Sequence, residues 1–306
     1  MPENSKNTSF TFLEHTRCPS CKSKRMKFIG MRGGKYQREG RGIETRIVRC
    51  SNCTLIFPNP FPIPESLESI YGEPEEFFAN KSDWATRSKE YEGLAEKFIS
   101  EIGKKEKIYL LDVGAGRGEF MQACLSFPQI ECTGIEVSKG SINYAAEKGI
   151  EVINKLLSEL INEGKVYDGI CLNAVLEHVH DPLIFMSEIS SLLKKEGVLY
   201  IDSPREPNLV SMLGNLSNKI MGDSAVYNLQ PTWDTYHVYG FNPKSLRILL
   251  GKNNIKITNI RVHGYPCSFG IGGIIDSVKA FTANQIEKLG NLLGLGSNMY
   301  VWCKKA

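Results

Sequence analysis

The sequence predicts an α/β fold: an open, mainly parallel sheet with helices on both faces, preceded by a small β-rich module. Three observations predict it. Short apolar runs alternate with amphipathic stretches from Lys107 to Asp202, the pattern of βαβ units. A glycine-rich turn, Gly114-Ala115-Gly116-Arg117-Gly118, directly follows the first of these runs, where such folds pass from strand to helix. The first 60 residues are chemically distinct, with two tight cysteine pairs and 12 Lys/Arg against 4 Asp/Glu; the rest of the chain holds 25 against 30.

Composition sets the outer limits. At 306 residues, 42% hydrophobic and 23% charged, the chain can bury a real core, which excludes a disordered, collagenous or coiled-coil protein. No stretch approaches the ~18 apolar residues of a membrane span. Met1–Thr16 is polar, with Glu3, Lys6 and Glu14, and lacks the apolar core of a secretory leader, so a cytoplasmic protein is expected. The nine cysteines are an odd number. Five of them, Cys124, Cys132, Cys171, Cys267 and Cys303, lie among apolar neighbours and read as small buried hydrophobes.

Taken in order, residues 17–57 read as a β-rich knuckle, with alternating segments Met26–Met31 and Glu44–Arg49 around a basic glycine-rich turn. Phe57–Pro64 has prolines at 58, 60, 62 and 64 and is expected to be an irregular, stiff connector. Apolar residues at helical spacing predict a helix over Ser82–Ile102. Strands follow at Ile108–Val113, Ile130–Val137, Ile150–Asn154, Tyr167–Asn173 and Val198–Asp202. Between them come helices over Glu119–Phe127, Ser138–Lys148 and Asp181–Lys195, with Pro182 in the first turn of the last. Asn208–Asp234 is polar, aromatic and glycine-containing, the composition of a lid over a ligand. A helix starts at Asn242-Pro243, and Ile255–Val262 and Met299–Cys303 are further strands. The expected division is a small β-rich cysteine module with its proline-rich linker over 1–64 and a larger α/β domain over 65–306. Residues 208–234 and 264–297 are insertions in the second.

Two constellations carry chemistry. Cys18-Pro-Ser-Cys21 and Cys50-Ser-Asn-Cys53 are two Cys-x2-Cys pairs separated by 28 residues. Two residues between thiolates let both sulfurs reach one tetrahedral ion, so Cys18, Cys21, Cys50 and Cys53 are expected to hold a structural zinc with no open position. A redox dithiol would need only one pair, opening a helix.

The second constellation is Asp112 with the Gly114, Gly116, Gly118 turn, and Glu136 ending the next strand, 18 residues past Gly118. Glycines let the backbone approach a ligand, and the acid can accept from ribose hydroxyls. A dinucleotide site asks for glycine or alanine at 119, where this chain has Glu119. Carboxylates beside the turn repel a pyrophosphate and suit a ligand bearing an ammonium and a sulfonium. The turn therefore favours S-adenosylmethionine over a nicotinamide dinucleotide.

Leu111–Phe120, Gly134–Ser138, Tyr167–Ile170, Asn173–Pro182, Leu192–Pro204 and His237–Leu246 together resemble class I S-adenosylmethionine-dependent methyltransferases over residues 84–262. The broad group includes ubiquinone-pathway and sugar-pathway enzymes, and the cysteine module resembles members from natural-product and surface-polysaccharide pathways. The resemblance implies a Rossmann-like seven-stranded sheet with an antiparallel last strand. It implies that Asp112, Gly114, Gly116 and Gly118 line the methionine moiety, that Glu136 holds the ribose and that Asn173 lies near the sulfonium. Adenine contacts fall around Asn154–Leu157.

His178, just past the fourth strand beside Glu177, and His237, after the insertion, are the candidate catalytic bases, although a histidine near a helix start also serves as a packing group. His180 reads as a local cap, and Tyr236 as a substrate contact. Metal-dependent ubiquinone-type enzymes carry a Glu where this chain has Ala174, so no catalytic metal is expected. Sugar C-methyltransferases with a similar zinc module carry a Glu where this chain has Tyr236. The expectation is methyl transfer, O-methylation first, to a small-molecule or sugar-linked acceptor. The alternatives are a sugar C-methyltransferase, an RNA methyltransferase gripping phosphates with its basic module, and a non-enzymatic cofactor-binding module. Nucleic acid is disfavoured, because Asn173-Ala174-Val175-Leu176 lacks the Asn/Asp-Pro-Pro-Tyr/Phe of base-amine methylators. The sequence leaves the oligomeric state open.

Overall fold

The computed structural model describes residues 9–37, 40–65, 83–233, 235–264 and 274–306. Its apolar runs assemble into a seven-stranded sheet of β6 (Ile108–Val113), β7 (Ile130–Ile135), β8 (Val152–Ile153), β9 (Tyr167–Asn173), β10 (Leu193–Pro204), β11 (Ile255–His263) and β12 (Asn298–Lys305). The strand order is β11-β12-β10-β9-β6-β7-β8. Only β12 runs antiparallel to its neighbours β10 and β11; the pairs from β10 to β8 are parallel. The Rossmann-like sheet with an antiparallel last strand is therefore present.

The helices are α1 (Trp84–Ile102), α2 (Glu119–Cys124), α3 (Lys139–Glu147), α4 (Leu157–Asn162), α5 (Pro182–Leu192), α6 (Leu209–Ile220), α7 (Pro243–Gly251) and α8 (Ile274–Leu292). Their starts are written in the local sequence. Ser138 accepts from the Ser141 amide, Asp181 from Leu183 and Ile184, and Asn242 from Lys244 and Ser245, each satisfying first-turn donors that the helix leaves orphaned. One sheet face buries Phe98 of α1 against Ile108, Leu110, Tyr200 and Trp302. The other buries Leu111, Ile170 and Ile201 with Met186 and Ile189 of α5 and Leu246 and Leu249 of α7.

The N-terminal module is a three-stranded antiparallel sheet of β2 (Met26–Arg32), β3 (Thr45–Cys50) and β4 (Ile56–Pro58), with a separate pair of β1 (Phe10–Leu13) and β5 (Phe61–Pro64). The proline-rich segment thus corrects the expected irregular connector. Pro62 and Pro64 stand on an outer two-stranded ribbon, where a missing N–H costs little. Burial anchors the segment: Phe57 and Phe61 are almost wholly buried, and the Phe61 ring stacks on Tyr239 at 5.4 Å. Cys18, Cys50, Leu55, Phe57 and Phe61 belong to the same apolar cluster as Leu111 and Ile170 of the main sheet.

Residues 208–233 also depart from expectation. Asn208 caps α6 in a reciprocal box with Ser211, a signal present in the sequence. The run beyond it fastens the N-terminal module: Met31 N–H donates to Ser224 O, Val226 N–H to Met31 O, and Ile43 N–H to Thr232 Oγ1. Val226 and Leu229 share a core with Ile47 and Ile56. No residue of 208–233 lines the main cavity, so the lid expectation is replaced by a strap. The run carries apolar residues that the ribbon sheet can bury, and burial there outweighs exposure over a ligand. Expectations for Asp234, Cys267 and the start of the 264–297 insertion fall outside the described residues.

Glu206 sits inside this strap, accepting from Ser211 Oγ at 2.9 Å and from Asn228 Nδ2, and burial pushes its carboxyl up to about 7. A carboxyl raised above its unfolded value gives stability that is full below the unfolded pKa and lost as pH rises through the folded one. The melting temperature is expected to fall from about pH 5 to pH 8, and Glu206→Gln to flatten that fall. Parallel melting curves for the two proteins would contradict the assignment.

Candidate active site

The carboxyl ends of β6, β7 and β9 open onto a cavity of about 710 Å³. Its floor is the turn after β6, where Gly114 and Gly118 adopt φ of 70° and 79°, a region costly for side chains. A Cβ on Gly114 would meet Val175 at 2.7 Å, and one on Gly118 would meet Ile150 at 2.7 Å. Asp112, Gly114, Gly116, Glu136 and Asn173 all line the cavity; Gly118 does not, and instead forms the start of α2.

Glu136 is held by the backbone: Oε2 accepts from Gly116 N–H at 3.0 Å, and Oε1 from Val137 and Ser138 N–H at 2.7 and 2.9 Å. That grip presets the carboxylate at the end of β7. Asp112, fully buried, has its carboxyl pushed up to about 8 by desolvation. Glu119 changes the electrostatic argument drawn from the sequence. Its Oε1 accepts from Arg117 Nε at 2.9 Å and Nη2 at 2.6 Å, so its charge is compensated locally. Repulsion of a pyrophosphate then rests on Glu136, because Asp112, with its carboxyl raised to about 8, is largely uncharged at neutral pH.

Sequence reasoning missed two cavity residues, Arg87 and Tyr91, one turn apart on α1. Asn173 Nδ2 donates to Tyr91 Oη, which also accepts from Arg87 Nη2 at 3.0 Å. Burial raises the Tyr91 hydroxyl to about 12, so it stays protonated. Arg87 Nε lies 3.6 Å from Glu119 Oε1, and Trp84 Nε1 donates to Arg117 O at 2.9 Å. These bonds seat the start of α1 over the glycine turn and bring a cation to the methionine end of the expected cofactor position. The i, i+4 spacing of Arg87 and Tyr91 was the one signal in the sequence. On the opposite side, Lys155, Leu156, Leu157 and Ser158 line the wall where adenine contacts are expected.

The far wall carries the histidines. The His178 and His237 rings approach edge to face at 5.0 Å, and His178 Nδ1 lies 3.1 Å from Tyr236 O. Glu177 O accepts from Val238 and Tyr239 N–H at 3.0 and 3.2 Å, which ties the loop bearing His237 to the loop bearing His178. The Glu177 side chain is fully buried, accepts from Ser203 Oγ at 3.0 Å, and has its carboxyl pushed up to about 8 by desolvation. Donor atoms of Glu177, His178 and His237 lie within 4.8 Å of one another, a spacing that suits a divalent cation, while Ala174 offers no further donor. Tyr236 is corrected: it is wholly buried and donates to Pro62 O at 2.7 Å, leaving Thr235 on the cavity wall. His180 lines the cavity but does not cap α5, a role that Asp181 fills.

The four ribbon cysteines also converge within 4.8 Å, with Sγ–Sγ distances of 3.5 Å for Cys18–Cys53 and Cys21–Cys50. Disulfides need ~2.05 Å; a tetrahedral ion with ~2.3 Å bonds needs edges of ~3.8 Å. The two pairs share one turn: Lys22 N–H donates to Cys18 O, and Thr54 N–H to Cys50 O, with Lys22 and Thr54 at φ 62° and 68°. The thiol of Cys18 is pulled down to about 5 by its hydrogen bond with Cys53. The donor set fits zinc.

The family profile "Methyltransferase domain" matches residues 86–259. The mitochondrial ubiquinone biosynthesis O-methyltransferase of Dictyostelium discoideum is 22% identical over 176 residues, 51% of this chain and 52% of the relative. The ubiquinone biosynthesis O-methyltransferase of Pelagibacter ubique is 33% identical over 105 residues, 31% of this chain and 42% of the relative. The chain spans about half the length of these curated relatives. A solved SAM dependent methyltransferase from Archaeoglobus fulgidus superposes with a TM-score of 0.47 at 20% identity, covering 71% of this chain and 94% of that one.

Proposed function

Because the chain belongs to the class I S-adenosylmethionine-dependent methyltransferase family, we propose that it methylates a hydroxyl of a small-molecule or sugar-linked acceptor, with zinc as a structural element of its N-terminal ribbon. The observation that carries the reading is the pair of histidines, 5.0 Å apart, on the wall of the cavity that also holds Asp112 and Glu136. O-methylation is the reaction named for the ubiquinone-pathway relatives.

S-adenosylmethionine supplies a methyl group on a positively charged sulfur. Glu136 would accept from the ribose hydroxyls, Asp112 and the Gly114–Gly116 turn would hold the methionine ammonium, and Arg87 would hold its carboxylate. Tyr91 and Asn173 fix the wall beside the reacting sulfur, so acceptor and methyl meet in line; such positioning supplies a large part of the barrier reduction. As the acceptor oxygen takes the methyl group, its proton passes to a ring nitrogen of His178 or His237. His178 is favoured, because Tyr236 O at 3.1 Å fixes its ring. The proton then returns to solvent as the thioether product leaves.

Calorimetry with S-adenosylmethionine and its demethylated product tests the cofactor assignment. Glu136→Ala is expected to cost ~1.5–3 kcal/mol of affinity, the worth of hydrogen bonds to a charged group, or roughly 10- to 150-fold in Kd. Unchanged affinity, or tight binding of NAD instead, would defeat it. Turnover that depends on added Mg²⁺ would reassign Glu177, His178 and His237 to a cation.

A further inference from the structure

We infer that the chain forms a two-fold dimer through the face of α6 and α8. These helices pack on each other, with Leu209 N–H donating to Leu295 O at 2.9 Å and Gly290 closing on Leu209. Yet their outer sides are apolar. On α6, Met212, Leu213, Leu216 and Ile220 stand 44%, 44%, 55% and 77% exposed, and on α8 Leu289 and Leu292 stand 50% and 86% exposed. The spacing on α6 is a helical stripe, the pattern of a face built to be covered. On α5 and α7 the apolar residues Met186, Ile189, Leu246 and Leu249 are buried against the sheet. The stripe on α6 has nothing over it among the described residues.

Area, charge and symmetry identify the occupant as a second copy. Side chains of this size and exposure, with Met221 and Leu293 beside them, offer on the order of 800 Å², what each partner buries in a standard-size interface. An ordinary monomer's largest patch is ~300–600 Å². The face is poor in charge, as interface centres are. The exposed charges at the end of α6 are Lys219 and, just beyond it, Asp223. In a two-fold contact each surface meets itself, so one copy's Lys219 can face the other's Asp223. An anionic lipid surface would call for a basic rim instead, and the exposed cations of the two helices among the described side chains are Lys219 and Lys288. The inference is independent of the acceptor and of the methyl-transfer chemistry.

Sedimentation velocity over a range of concentrations, on the full chain with zinc retained, tests it. The expected mass is twice the 34.2 kDa of one chain. Leu216→Glu combined with Ile220→Glu is expected to raise the dimer dissociation constant at least 100-fold and leave calorimetric binding of the demethylated cofactor unchanged. Retained cofactor binding shows that the variant is folded. Since both side chains are exposed, Leu216→Ser with Ile220→Ser serves if the charged variant does not fold. A wild-type chain that sediments as a monomer at all concentrations would overturn the inference, as would a dimer that survives both variants. A monomer that instead co-sediments with phosphatidylglycerol vesicles, and loses them in the variant, would assign the face to a lipid surface and overturn it equally.

Discussion

Alanine at both His178 and His237 is expected to lower turnover by ~10²–10⁴-fold, the usual worth of a positioned general base, with cofactor affinity within about twofold of wild type. The two rings sit 5.0 Å apart on one wall of the cavity, so either can reach an acceptor hydroxyl placed beside them, and the single variants separate their roles. His178→Ala is expected to carry the larger loss in kcat, because Tyr236 O fixes its ring at 3.1 Å. His237→Ala is expected to raise KM for the acceptor more than it lowers kcat. Full turnover in the double variant, with cofactor still bound, would mean that alignment alone drives the reaction.

Cys50→Ser is expected to abolish zinc binding, from one equivalent per chain to none, and to unfold the ribbon. Structural zinc in small modules supplies ~10–16 kcal/mol of apparent binding energy at neutral pH, more than such a module gains from its own core. The four cysteines all lie within residues 1–64, but the damage is not confined there. The shared core extends it: Phe61 stacks on Tyr239, and Tyr236 reaches Pro62 O, so the loop carrying His237 rests on the ribbon. The variant is expected to lose turnover as well as ribbon stability, while Glu136 and the glycine turn still bind cofactor. Elemental analysis finding no zinc in wild-type protein purified without chelator would refute the metal assignment. A Cys50→Ser variant with wild-type melting and turnover would refute its structural role.

Much of the framework was readable residue by residue because the forces that make it act over three or four residues. Tyr167–Asn173 was delimited to the residue, and Ser138, Pro182 and Asn242 marked helix starts where the structure has them. Strand ends were less readable. β8 keeps two residues of an expected five, and β10 begins at Leu193 inside an expected helix. Pairing with a distant neighbour sets those limits, and no local periodicity encodes the neighbour.

By itself the sequence determined the class of sheet, the glycine turn with its acid 18 residues on, and the spacing of four cysteines, because each of these is a local pattern with one physical use. Only the tertiary structure decided what those elements touch. It placed Arg87 and Tyr91, from a helix ahead of the motif, in the cavity wall. It paired Glu119 with Arg117, buried Tyr236, and turned residues 208–233 into a strap over the ribbon. The physical reason is the same in each case. A side chain's partner is set by the burial and hydrogen bonding that the whole chain can satisfy at once; Arg117 is a near neighbour of Glu119, but the other partners lie tens to nearly two hundred residues away in sequence.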